Sequence, residues 1–275
     1  MTKIGLALGG GGAKGAAHVG VLMALEELGI RPSLITGTSV GAFIGATYAA
    51  GVDLNIIAKS IPELALGQMY GLPGNAPALS TNTKYKQYLQ GLIGDVTFAD
   101  LRIPLAVVAT DLVSQKEVIL DEGKVVTAVM ASASLPLVFP PMEMNGMVLV
   151  DGGVMNNVPF DIARARGATY VIAVDLSNTA PFGTVDNSEP PPHGLLAKAI
   201  ALTKNRRIWQ IMSTISDINN TKSLRARLAI SRPEILLRPY LGTISLFDTH
   251  RWQEAVEAGK TAVYEVQDEL KKLVQ

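Results

Sequence analysis

Short apolar runs and longer helical stretches alternate along the first two thirds of the chain. Residues 3–8 (KIGLAL) are apolar almost throughout and stop at a glycine run, as a strand covered on both faces would. Ala16–Leu28 follows at helical length, Leu34–Thr36 is a second strand-like run, and Val40–Ala50 is a stretch of small, helix-compatible residues. Further strand-like runs are PLAVVAT from Pro104, KEVIL from Lys116, GMVLVD from Gly146 and TYVIAVD from Thr169, and several of them end in aspartate. This alternation predicts an α/β fold of three layers, α/β/α, around a largely parallel central sheet. Near the end, Trp252, Val256, Gly259, Val263, Val266, Leu270 and Val274 recur at spacings of three and four, which predicts a helix with a core-facing stripe.

Between Ser177 and Pro192 the composition turns to Pro, Gly, Asn, Ser and acid, an exposed loop by its chemistry. The segment 194–212 (GLLAKAIALTKNRRIWQIM) is apolar and basic. It suits a helix packed on the core with its cations in water, the commoner arrangement, or one lying on an anionic membrane. No linker-like stretch precedes residue 178, so residues 1–275 read as one domain, with 176–232 as a variable loop and helical cover within it. Pro32–Val52 carries no charge and is long enough to span a bilayer, but its glycines, threonines and serines make it too polar for that role.

Charge and composition narrow the function. With 24 basic and 24 acidic residues and a pI near 6.8, the chain lacks the basic excess of a nucleic-acid binder. It has no cysteine, which removes thiolate catalysis, disulfides and cysteine-ligated metals together. The first residues lack the apolar core and cleavage site of a signal peptide, so a cytoplasmic location is expected, with any membrane contact peripheral.

Candidate chemistry begins at Gly37-Thr38-Ser39-Val40-Gly41. Gly-x-Ser-x-Gly between strand and helix describes a sharp elbow that lifts the serine oxygen clear of the sheet, and the flanking glycines let backbone segments approach closely. Just after the first strand comes Gly9–Gly15 (GGGGAKG). It is no Walker loop, since Gly15 follows Lys14. It matches Gly-x-Gly-x-x-Gly, but the second strand does not end near the acid that would bind a ribose. It is either a bare turn or an oxyanion hole in which the N–H groups of Gly10, Gly11 and Gly12 face a reacting carbonyl oxygen. Successive strand-to-helix turns of a parallel sheet open on one edge, so the glycines and Ser39 would be neighbours. For a base, the three histidines are His18 inside a helix, His193 in the Pro-rich loop and His250 before the last helix. A Ser39-Asp151-His250 triad is one arrangement. A strand-end aspartate acting directly is the other: Asp111, Asp151 and Asp175 each have turn-capping as the plain alternative, and Asp151 is set apart by Gly152-Gly153 behind it.

Gly10–Gly15, Gly37–Gly41 and Asp151–Pro159 (DGGVMNNVP), with ASASLPLVFPP from Ala131, together resemble the patatin-like phospholipase family, including bacterial relatives of neuropathy target esterase, over residues 4–176. The resemblance implies a serine acyl hydrolase with a Ser-Asp dyad and no histidine, Ser39 being the nucleophile and Asp151 the base. It implies acyl esters of (lyso)phospholipids or related lipids as substrates, and no metal or organic cofactor. Lys14 stands where many members carry arginine, within reach of a lipid phosphate or paired with a local carboxylate. A regulatory or scaffold protein that keeps the same fold is the alternative class.

Overall fold

A computed structural model describes residues 2–63, 83–136, 138–177, 206–246 and 248–273, without the side chains of 206–210 and 212–213. Most of the expected 177–192 loop, the first part of the 194–212 segment and His193 lie outside the described residues. The parallel framework starts with β1 (Ile4–Leu8), a 3-10 turn at Gly12–Gly15, α1 (Ala16–Glu27), β2 (Leu34–Thr38), α2 (Val40–Ala50), α3 (Leu54–Glu63) and α4 (Thr83–Ile93). Then come β3 (Leu105–Asp111), β4 (Lys116–Leu120), α5 (Val125–Ser132), β5 (Met142–Met144), β6 (Met147–Asp151) and α6 (Phe160–Ala165). The remainder is β7 (Tyr170–Val174), α7 (Arg206–Ile230), β8 (Ile235–Leu237), α8 (Trp252–Tyr264) and α9 (Gln267–Leu270).

The strands form one sheet in the order β5-β6-β3-β2-β1-β7-β8, with β4 also on β3. The five strands β3-β2-β1-β7-β8 are mutually parallel, as the alternating pattern predicts. The other three pair antiparallel. Local turns explain the difference: β5 and β6 are joined at Asn145-Gly146, both at positive φ, which is hairpin geometry and far too short for a parallel crossover.

Alternate residues of each parallel strand feed opposite layers. Leu6, Leu8, Ile35, Val107, Ile172 and Val174 pack with α1, α2 and α4 in the main core. Ala7, Leu34, Val171 and Ala173 face Phe160 and Ala163 of α6 and Leu224 of α7. The C-terminal stripe is in place, with Val256, Gly259, Val263 and Leu270 buried, but the helix is not continuous. The Val266 N–H bonds to the Val263 carbonyl at 3.2 Å, a tightened i→i−3 turn that ends α8 before α9 begins. Val274 lies outside the described residues.

Candidate active site

One edge of β3 brings the two candidate catalytic residues together. β2 runs up that edge in parallel and ends with Thr38 opposite Val108. β6 runs down the same edge in the opposite sense and ends with Asp151 opposite Ala109, the very next position. β4 occupies the other edge, from Val107 to Asp111, so β2 and β6 meet end to end. Ser39 leaves one tip and Asp151 the other, and the serine hydroxyl lies near enough to the Asp151 carboxylate to favour its ionised form.

Ser39 stands at φ 56 and ψ −122, immediately before the first residue of α2. A non-glycine residue there is strained by roughly 1–3 kcal/mol and persists only because its surroundings over-determine it. Three contacts do so. A Cβ at Gly41 would lie 2.1 Å from the Leu8 carbonyl oxygen, and one at Gly37 2.7 Å from Ala42, so neither flank admits a side chain. The Ser39 N–H donates to the Ser132 hydroxyl at 2.8 Å, and that hydroxyl donates to the Val108 carbonyl at 2.6 Å. Ser132 is fully buried at the end of α5 and so clamps the elbow to β3. Ser132→Ala leaves the Ser39 N–H without that acceptor and is expected to destabilise the protein by roughly 1–3 kcal/mol in urea unfolding; an unchanged midpoint would deny the clamp.

Asp151 is 5% exposed and accepts a hydrogen bond from the Gly153 N–H at 2.8 Å. Burial raises its pKa to about 6 from 3.8, against the opposing pull of the Ser39 hydroxyl and then the Gly153 N–H. Gly152 is required by close approach, since a Cβ there would sit 2.2 Å from the Val108 carbonyl oxygen. The segment that follows is laced to the sheet. The Thr38 hydroxyl donates to the Asn156 carbonyl at 2.9 Å and Thr36 to the Pro159 carbonyl at 2.8 Å.

That lacing corrects one expectation. The Gly10 N–H donates to the Asn157 carbonyl at 3.1 Å, and the Asn157 side-chain amide donates back to the Gly10 carbonyl at 3.3 Å. Gly10 is therefore a strut, its N–H already committed, and not a donor to an oxyanion. Among the described residues the N–H groups of Gly11 and Gly12 have no acceptor, and both glycines line the cavity that holds Ser39 and Asp151.

The other candidates sort themselves by environment. Lys14 is 2% exposed, and its ammonium lies 3.9 Å from Asp217 of α7. Burial lowers its pKa, opposed by Asp217 and then Asp175. Its place beside Asp217 suits pairing with a local carboxylate, and it also lines the cavity, as a substrate-binding lysine would. His18 is fully buried with Nε2 donating to the Gly9 carbonyl at 2.7 Å, and burial lowers its pKa to about 4. His250 is exposed on a 3-10 turn near Glu254, and it neither lines the cavity nor touches Asp151. Asp111 caps its turn, accepting from Ser114 and from the Val113, Ser114 and Val148 N–H groups, which hold its pKa near 2. Asp175 caps the Ser177 N–H and meets Arg238 at 3.1 Å.

The cavity measures about 370 Å³. Ile61, Tyr85, Leu135, Val138 and Phe139 wall one part with apolar surface, while Lys14, Asp217 and Asn220 supply polar groups elsewhere. Among the described residues no group of three His, Asp or Glu could hold a metal ion, and no helix is long and apolar enough to cross a membrane.

By its layered sheet and the serine raised between β2 and α2, the molecule falls in the class of α/β proteins with a serine at a sharp strand-to-helix elbow. The family model described as patatin-like phospholipase matches residues 6–164, and the chain belongs to that family. Lysophospholipase NTE1 of Saccharomyces cerevisiae is 30% identical over 274 residues, covering 93% of this chain and 16% of that protein. Patatin-like phospholipase domain-containing protein 6 of Homo sapiens is 30% identical over 276 residues, covering 94% of this chain and 20% of that protein. The chain thus spans about a sixth to a fifth of the length of these relatives. VipD from Legionella pneumophila shares the fold with a TM-score of 0.58 at 15% identity, over 98% of this chain and 67% of that one.

Proposed function

We propose that the protein is a serine hydrolase of lipid acyl esters that works through a Ser39-Asp151 dyad. The observation that carries this reading is the juxtaposition, on one edge of β3, of a strained elbow serine and a buried carboxylate whose pKa is raised to about 6 and which the serine hydroxyl favours in its ionised form. Such a carboxylate is ionised at neutral pH yet basic enough to take a proton from a hydroxyl in the transition state. Ser39 Oγ attacks the acyl carbonyl carbon as its proton passes to Asp151. The Gly11 and Gly12 N–H groups, on residues that line the same cavity as Ser39, stabilise the oxygen that becomes negative. The C–O bond to the alcohol then breaks, and the alcohol leaves with the proton from Asp151. Water attacks the acyl-serine, giving its proton to Asp151, and collapse releases the carboxylic acid as the proton returns to Ser39.

The apolar wall of the cavity supports a fatty acyl group on the substrate. The names of the relatives, lysophospholipase and patatin-like phospholipase, support (lyso)phospholipids or related lipids, met by peripheral contact with a membrane. Fluorophosphonate labelling followed by peptide mapping tests the assignment: the expected adduct is on Ser39, accompanied by turnover of short- and long-chain p-nitrophenyl esters. Labelling elsewhere, or a folded protein that turns over neither ester, would overturn it in favour of a partner-binding role for the fold.

A further inference from the structure

Over Ile211–Ile218 helix α7 presents its faces in the reverse of the usual order, although farther along Leu224 packs inward in the ordinary way. A soluble helix turns apolar residues to the body and polar ones to water. Here the Asn219 amide donates to the Val154 carbonyl at 3.1 Å and the Ser223 hydroxyl to the Met155 carbonyl at 2.7 Å. Arg227 pairs with Asp161 and with Glu117, and Asp217 pairs with Lys14. Polar side chains thus fasten the helix to the body, and over this stretch the isoleucines point outward: Ile211, Ile215 and Ile218 are 41%, 54% and 52% exposed.

At 100° per residue, positions 211, 215, 218, 222 and 225 fall on one stripe, opposite Asn220, Leu224 and Arg227. Three isoleucines are therefore continued by Lys222 and Arg225. The stripe also adjoins the active-site entrance, because Ile215 and the 42%-exposed Val154 both line the cavity that holds Ser39. Leu112 and Val113, exposed in the turn just past β3, project from the same edge of the sheet.

We propose that this stripe is a docking face for an anionic lipid bilayer, seating the isoleucines among the acyl chains and Lys222 and Arg225 against the headgroups. Exposed apolar side chains insert by burial and basic ones near them are drawn to anionic headgroups, so the two together suit the end-on or tilted seating of such a stripe on an anionic bilayer. The position at the cavity mouth gives the arrangement a use, since an acyl chain leaving the bilayer across Ile215 and Val154 passes from one apolar surface to another without crossing water. The inference rests on the lipid-ester reading for its use, while the docking itself is measured independently of catalysis.

Vesicle flotation of the full chain tests it, using phosphatidylcholine vesicles with and without phosphatidylglycerol. The intact protein is expected to float with the anionic vesicles, and the Ile211→Glu/Ile218→Glu pair to partition about tenfold less or weaker. Lys222→Glu/Arg225→Glu should abolish the preference for phosphatidylglycerol. Both pairs should keep the melting temperature and the turnover of soluble p-nitrophenyl butyrate, because none of the four residues lines the cavity. Intact protein that stays in the aqueous fraction, or isoleucine variants that float equally well, would overturn the proposal. So would light scattering that finds a dimer converted to monomer by the isoleucine pair, since the stripe would then join copies of the chain. Flotation through the stripe without ester turnover would sink the catalytic reading and leave the docking face standing; turnover without flotation would do the reverse.

Discussion

Asp151→Asn is expected to lower kcat by roughly a thousandfold or more and, at the same time, to make the protein more stable above about pH 7. The amide keeps the shape of the carboxylate but cannot take the serine proton. The stability gain follows from the raised pKa. Asp151 binds its proton more tightly when folded, at about 6, than when unfolded, at 3.8. The stability that it contributes is therefore fully present below 3.8 and is lost as the pH rises through about 6. Above that range the buried, ionised carboxylate costs on the order of 3 kcal/mol relative to the protonated one, a burden that asparagine does not carry. Urea unfolding across the acid-to-neutral range should show a downward slope for the intact protein and a flatter one for the variant. The kcat/KM profile should rise with pH through an apparent pKa near 6. His250→Ala separates the dyad from a triad: it should stay within about tenfold of the intact enzyme. A folded His250→Ala as inactive as a Ser39 variant would remove Asp151 from the role of direct base.

Ser39→Gly and Ser39→Ala are both expected to abolish turnover and fluorophosphonate labelling, and to differ from each other in stability. Each removes the hydroxyl and its interaction with Asp151, so the loss of chemistry and of that interaction is common to the pair. They part at the backbone. Glycine adopts φ 56 freely, whereas alanine keeps the clash that serine has there. Relief of that strain, less the greater freedom of glycine in the unfolded chain, leaves about 1 kcal/mol in favour of the glycine variant. Thermal melts should accordingly place Ser39→Gly roughly 2–4 °C above Ser39→Ala. Equal melting temperatures would mean that the elbow stores no strain, and residual activity in either variant would remove Ser39 as the nucleophile.

The features legible in the sequence are those where local chemistry leaves little choice. Gly37 and Gly41 announce the elbow because a side chain at the first would strike α2 and one at the second the end of β1, and Gly152 marks Asp151 for the same reason against β3. Val40–Ala50 and Lys116–Leu120 match their elements to the residue. What escaped the sequence is settled by pairing across long separations. Nothing near Ser132 hints that its hydroxyl will hold the Ser39 N–H, and nothing near Gly10 says that Asn157 will claim its N–H. Asp217 meets Lys14 only once α7 crosses the glycine turn. The antiparallel sense of β6 could have been suspected from Asn145-Gly146, a hairpin signal just ahead of the strand.

The end-to-end meeting of β2 and β6 on β3 also sets when a growing chain could become active. Ser39 and Asp151 are roughly 110 residues apart, about ten seconds of synthesis at typical ribosomal rates. During that interval the serine can be translated, and even raised on its elbow, with no base beside it. A nascent chain stalled anywhere before β6 should therefore bear the nucleophile motif and hydrolyse nothing, so the acyl-ester chemistry proposed for the molecule is withheld until the strand that closes the β3 edge has left the ribosome.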